Sequence, residues 1–73
     1  MSPRLPRLTA KQLIKKLKEH GYILYSSEGS HQHFIHPHKP GKVTIPVHPG
    51  KIIGTGLLKA ILRPLKMKSE DIL

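Results

Sequence analysis

The sequence predicts a small α+β domain with the element order α-β-β-β-α. Two segments with apolar residues at helical spacing flank a central region in which apolar and polar residues alternate. The chain has 73 residues and no cysteine, so we expect one domain over residues 1–73, with no disulfide, zinc–thiolate site or cysteine nucleophile. We predict an antiparallel three-stranded sheet with both helices packed on one of its faces.

The charge balance narrows the class of partner. Thirteen Lys and Arg residues stand against four Asp and Glu, which gives a formal net charge of +9. Such an excess on a short chain points to a polyanionic partner, most often nucleic acid. The three aromatic residues are too few for a base-stacking platform. No apolar stretch approaches the roughly 18 residues of a membrane span, so we expect a cytoplasmic protein without a membrane partner.

The first helix has clear boundaries in the sequence. Residues 1–8 contain two prolines and two arginines, and we expect them to form an extended basic arm. Thr9 is suited to the N-cap position, with Gln12 at the capping-box spacing and Gly21 at the C-terminal end. The apolar stripe that should be buried consists of Ala10, Leu13, Ile14 and Leu17.

Three strands should follow, over residues 22–27, 30–36 and 42–47. Alternation in the second strand places His31 and His33 on one side and Phe34 on the other, toward the core. Two prolines and a glycine predict a loop over residues 36–41. Pro46 lacks an N–H group, so the third strand should lie at the edge of the sheet or end there.

A second helix should begin near residues 54–56. Its wide apolar face consists of Leu57, Leu58, Ile61, Leu62 and Leu65. Pro64 deprives the Ala60 carbonyl of its donor, so the helix should end or kink there. Residues 66–73 should form a tail or a short terminal helix, with a cap and acidic residues at 69–71.

Histidine is the unusual component of this chain. Five of its six histidines fall between His31 and His48, a stretch without an acidic residue, and the single acid close to it is Glu28. Zinc sites built on paired histidines normally add carboxylates, and the basic surroundings disfavour a dication. We therefore predict neither a metal nor another cofactor. Histidine without metal suits RNA cleavage, which needs a base for the 2′-hydroxyl, an acid for the 5′-oxygen and cations for the transition state.

A series of short motifs occurs in a fixed order along the chain. These motifs are Gly29-Ser30-His31, Phe34, His36-Pro37, Val43-Thr44-Ile45-Pro46, His48, Gly54-Thr55 and Ile61-Leu62-Arg63. Their order and spacing resemble the HicA toxin family, from the first helix to about Arg63. Pro64 and Lys66 depart from the polar residue and the glycine that relatives commonly carry.

The resemblance implies a function and a fold. Members of the family are messenger-RNA interferases of type II toxin–antitoxin systems, with a fold like a double-stranded RNA-binding domain. The catalytic histidine of the Gly-Ser-His motif corresponds to His31. The expected activity is a metal-independent endoribonuclease acting on mRNA. The expected partner is a HicB-type antitoxin, which binds the toxin and covers that histidine.

The residues themselves suggest further contributors to the site. Gly29 permits a tight turn that lets an RNA backbone come close, and Ser30 either bonds a phosphate oxygen or simply ends the turn. His33 or His48 could assist proton transfer, although the favoured interpretation of His33 is an ordinary exposed strand residue. The candidate RNA-binding lysines are Lys11, Lys15, Lys42 and Lys51. Those on the first helix could instead form a merely solvated surface.

Two other functions remain open at this point. The first is a non-catalytic RNA-binding module of the double-stranded RNA-binding fold, which reads the backbone with lysines at the start of its second helix. Only Lys51 and Lys59 lie near that position, which weakens this alternative. The second is an inactive family member that only binds an antitoxin-like protein.

Overall fold

A three-stranded antiparallel sheet and two helices make up the fold. The computed structural model describes residues 7–67 and 69–72, so residues 1–6 of the predicted arm lie outside the described residues. The elements are α1 (Ala10–Glu19), β1 (Ile23–Glu28), β2 (His31–His36), β3 (Lys39–Pro46), α2 (Thr55–Leu65) and a short 3₁₀ helix (Ser69–Ile72). The strands lie in the order β1-β2-β3. The predicted α-β-β-β-α order is confirmed.

Helix α1 begins and ends where local chemistry predicts. The Thr9 hydroxyl accepts from the Gln12 N–H at 3.3 Å, and the Gln12 side-chain oxygen accepts from the Thr9 N–H at 2.9 Å. This is the predicted capping box. Gly21 follows the helix with φ of 92°, a conformation that favours glycine.

The core lies between the helices and one face of the sheet. Both α1 and α2 contact β3. The largest fully buried side chains are Phe34, Leu13, Leu17, Ile45, Leu58 and Ile72. The other face of the sheet carries exposed side chains, among them Ile23, Tyr25 and Ile35. The helices therefore leave one sheet face open.

The last residue of the predicted arm belongs to the core. Leu8 is buried, and its carbonyl accepts a hydrogen bond from the Ile53 N–H at 2.7 Å. Thr9 and Ile52 form an isolated antiparallel bridge beside it. This pairing ties the residue before α1 to the segment before α2.

The predicted loop over residues 36–41 is wrong. The turn consists of Pro37 and His38 alone, and β3 runs from Lys39 through Pro40 and Gly41. An edge strand tolerates a proline because half of its N–H groups have no partner strand. Gly41 has φ of 85°, and the pairing register shifts between Ile35 and His36, so the strand absorbs an irregularity there. The prediction that β3 is an edge strand ending at Pro46 is confirmed.

Helix α2 begins where predicted, at Thr55, but differs from its prediction at its C-terminal end and at one residue of its apolar face. It continues through Pro64 to its last residue, Leu65. Lys66 forms the C-cap, with φ of 55°. The proline removes one hydrogen bond within the last turn, where little helix remains to be broken. Leu57, predicted on the buried face, is 44% exposed in the first turn. The predicted terminal helix is present as the 3₁₀ helix.

Candidate functional site

His31 occupies the first position of β2, directly after the Gly29-Ser30 turn. Gly29 has φ of 58°, and a Cβ placed on it would meet nothing within 4 Å, so the turn is open to an approaching molecule. The Val47 N–H donates to the Ser30 carbonyl at 2.6 Å and holds the turn against the end of β3. His31 is exposed and pairs across the sheet with Glu28. An accessible imidazole thus stands at a fixed point on the end of the sheet.

His33 lies two residues further along the same open face, and it is buried. Its side chain is 11% exposed. The ring Nδ1 lies 2.8 Å from the Thr44 hydroxyl, and Nε2 lies 3.6 Å from a Glu28 carboxylate oxygen. The Tyr25 ring packs beside it, with the ring centroids 6.3 Å apart. The interpretation of His33 as an ordinary exposed strand residue is therefore wrong.

Lys42 shares this face with the two histidines. It pairs with Ile35, while His33 pairs with Thr44 and His31 pairs with Pro46. Alternate pairs lie on one face of a sheet, so His31 and His33 on β2 share the open face with Lys42 on β3. At the rise of a strand, the level of Lys42 is about 13 Å from that of His31. Lys42 therefore lies on the same face as His31 but well along the strands from it.

A second group of predicted residues lies around a cavity at the N-terminal end of α1. The cavity, about 420 Å³, is lined by Lys11, His48 and Gln32 together with apolar side chains. The Lys51 N–H donates to the His48 carbonyl at 3.1 Å, which places Lys51 in the same loop. Val47 both lines the cavity and bonds to Ser30. The cavity therefore adjoins the turn that precedes His31.

Lys15 lies on the exposed side of α1, one turn beyond Lys11. The two lysines line a shallow groove along that helix. No contact places Lys11 or Lys15 beside Lys42 within the described part of the chain. The structure thus divides the predicted basic residues between the open sheet face and the α1 side.

The comparison with protein families agrees with this architecture. The family described as the HicA toxin of bacterial toxin–antitoxin systems matches residues 10–67, which is most of the chain. The chain belongs to the HicA toxin family. Membership assigns the role of the toxin in a toxin–antitoxin system and implies a partner antitoxin. No curated protein matches the chain.

Two other histidines of this HicA-family toxin hold the fold together. The His36 ring donates through Nε2 to the His20 carbonyl at 3.0 Å and accepts from the His38 N–H through Nδ1 at 3.0 Å. Those two bonds require a neutral ring with its proton on Nε2. The His20 ring donates to the Asp71 carbonyl at 2.7 Å. These contacts join the end of α1 to the β2–β3 turn and to the terminal 3₁₀ helix.

Beside His36, the Tyr22 ring is buried and packs edge-on at 5.0 Å between centroids. Burial raises the pKa of the Tyr22 hydroxyl above its usual value because it disfavours the phenolate.

Among the residues that the structure describes, no three histidine or acidic side chains lie close enough together to hold a metal ion. Over the same ranges, no helix has the length and apolar character needed to cross a bilayer.

Proposed function

We propose that this toxin is an endoribonuclease that cleaves mRNA without a metal and uses His31 as its general base. The observation that supports the proposal is the position of His31: an exposed imidazole at the start of β2, beside an open turn and on the uncovered sheet face. Imidazole exchanges protons near neutral pH, which suits it to this role.

The chemistry follows from that position. His31 removes the proton from a 2′-hydroxyl, and the resulting oxygen attacks the adjacent phosphorus while the bond to the 5′-oxygen breaks. The 5′ fragment then ends in a 2′,3′-cyclic phosphate, and the 3′ fragment begins with a 5′-hydroxyl. Gly29 lets the RNA backbone approach the histidine, and the Ser30 hydroxyl bonds a phosphate oxygen.

The basic residues bind the strand on either side of the cleavage point. Lys42 lies on the same open face as His31, about 13 Å along the strands. Lys11 and Lys15 extend the contact along α1, with Lys51 and His48 in the loop between them and the sheet. Phosphate contacts of this kind make affinity fall steeply with salt.

We propose further that the partner antitoxin is of the HicB type and covers His31 and the basic residues around it. A protein with a net charge of +9 binds cellular RNA readily when free, so inhibition has to block the site or its electrostatic approach. An acidic partner that occludes His31 achieves both. A complex in which His31 stayed open to solvent while cleavage was off would contradict this mode of inhibition.

The decisive variant is His31→Ala, tested with purified protein and single-stranded RNA in EDTA. We expect cleavage by the wild type to persist in the chelator and to be lost in the variant. His38→Ala is the matched control, because His38 is an exposed histidine in the turn at the opposite end of β2. RNA that is bound but left intact by the wild type would favour a non-catalytic RNA-binding protein. Loss of wild-type cleavage in EDTA would indicate a metal-dependent enzyme.

A further inference from the structure

The buried His33 calls for an explanation that the fold alone does not provide. It lies on the open face, where no helix covers it, yet three side chains from neighbouring strands enclose it: Tyr25, Glu28 and Thr44. We infer that His33 is the general acid of the reaction, which protonates the departing 5′-oxygen. This inference rests on the ribonuclease function proposed above.

The spacing of the two histidines fits the demands of the reaction. In an in-line displacement the attacking 2′-oxygen and the leaving 5′-oxygen lie on opposite sides of phosphorus. The base and the acid must therefore stand several ångströms apart, each within about 2.8 Å of its own oxygen. His31 and His33 are two residues apart on one strand face, about 7 Å along the strand. One phosphodiester can thus lie between them.

The contacts of His33 hold its ring across the open face, between β3 and β1. Thr44 lies on β3 and holds Nδ1 at 2.8 Å, which fixes the orientation of the ring. Nε2 faces Glu28, which is the cross-strand partner of His31. Both ring nitrogens thus have a partner: Nδ1 has the Thr44 hydroxyl, and Nε2 has the side chain of the residue that pairs with His31.

The Glu28 carboxylate lies where it can pair with His33 when the imidazole carries two protons. When the ring is protonated, Nε2 and the carboxylate form an ion pair at 3.6 Å. The Glu28 side chain is 78% exposed, so it can swing aside and leave the Nε2 proton to a phosphate ester. The remaining charged or titratable groups on this face are Tyr25, His31 and Lys42. Glu28 and Thr44 are positioning residues in this scheme, and His33 is the group that touches substrate.

The proton balance is complete with these two histidines. His31 takes the proton of the 2′-hydroxyl as the bond from the 2′-oxygen to phosphorus forms. His33, as imidazolium, gives its Nε2 proton to the 5′-oxygen as the bond between that oxygen and phosphorus breaks. The enzyme ends with His31 protonated and His33 neutral, and exchange with water restores both.

A substrate with a sulfur in place of the scissile 5′-oxygen tests this assignment. A thiolate leaves without being protonated, so it removes the need for a general acid while keeping the need for a base. We expect His33→Ala to cleave ordinary RNA about 10²–10⁴-fold more slowly than the wild type, and the sulfur-substituted RNA at close to the wild-type rate. His31→Ala should be slow on both substrates. Thr44→Val should show a smaller loss on ordinary RNA with the same rescue by sulfur.

The ratio of the two cleavage rates distinguishes a loss of the general acid from a loss of folded protein. Partial unfolding of a variant lowers both rates together and leaves their ratio unchanged. His33→Gln, which keeps a side chain of similar size in the buried position, serves as a second variant. An equal loss on both substrates, or no loss on ordinary RNA, would overturn the inference while leaving the ribonuclease function in place. Failure of the wild type to cleave either substrate would refute the ribonuclease function itself.

Discussion

Substitution of Gly21 tests whether the contacts of His36 stabilise the folded protein. A Cβ at Gly21 would lie 2.9 Å from the His36 Nε2, and the residue has φ of 92°. Gly21→Ala therefore carries two penalties. The left-handed backbone costs about 1–2 kcal/mol for a residue other than glycine. Displacement of the His36 ring weakens its bond to the His20 carbonyl, worth about 0.5–1.5 kcal/mol, and its contact with Tyr22.

Gly50→Ala is the matched control for the backbone penalty. Gly50 has φ of 78°, and nothing lies within 4 Å of a Cβ placed there. The difference between the two variants should therefore isolate the His36 contacts, at about 1–2 kcal/mol. In a domain of this size each kcal/mol moves the melting temperature by about 4–8 °C, so Gly21→Ala should melt about 5–15 °C below Gly50→Ala.

Thermal unfolding followed by circular dichroism measures this difference. A double-mutant cycle with His36→Ala then assigns it. Once the imidazole is gone, Gly21→Ala should cost no more than Gly50→Ala. An unchanged cost of Gly21→Ala in the His36→Ala background would refute the structural role of this histidine.

Three further substitutions have predicted outcomes. The Tyr22 hydroxyl is buried and has no hydrogen-bond partner in the part of the chain that the structure describes, so Tyr22→Phe should stabilise the fold by about 1 kcal/mol. Burial raises the pKa of that hydroxyl in the folded state, so its ionisation should not change wild-type stability below about pH 10. Above that pH, wild-type stability should fall as pH rises, and denaturant titrations should show that Tyr22→Phe lacks this decline. Lys66→Gly should raise the free energy of unfolding by about 0.5–1 kcal/mol in the same titrations, since φ at this position is 55° and glycine relieves the strain; a loss of stability would contradict this. Lys42→Ala should weaken RNA binding and lower the salt slope of log K by about 1, whereas an unchanged slope would remove Lys42 from the phosphate contacts.

Local chemistry made the first half of the fold predictable. Thr9 and Gln12 fix the start of α1 through bonds between near neighbours, and Gly21 fixes its end. The errors arose where tertiary context decides. Pro40 within β3 is acceptable because β3 turns out to be an edge strand, and a proline near a helix end, Pro64, does not stop α2.

The candidate site was predictable only in part. The Gly29-Ser30-His31 motif is local, and the structure places it on an open turn at the end of the sheet. The burial of His33 depends on Thr44 and on residues of β1, which come from other strands, and simple alternation assigned it to an exposed face. A pairing register predicted across all three strands would have brought these side chains together.

The roles of the histidines were also predictable only in part. The bond from His36 to the His20 carbonyl joins residues sixteen positions apart, and the sequence carries no local sign of it. In the sequence, Gly21 is explained by the end of α1, and its close approach to the imidazole emerges only in the fold. The abundance of histidine therefore reflects two separate roles, one in the fold at one end of β2 and one in the proposed chemistry at the other.

The central claim is that His31 activates a 2′-hydroxyl of RNA, and analysis of the cleavage products tests it most directly. RNA cleaved by the purified wild type in EDTA would be examined by mass spectrometry, beside the same RNA with a 2′-deoxynucleotide at the cleaved position. We predict a 5′ fragment ending in a 2′,3′-cyclic phosphate, no cleavage at the deoxy position, and no cleavage anywhere by a folded His31→Ala variant. Cleavage at the deoxy position, or wild-type activity in His31→Ala, would contradict the account.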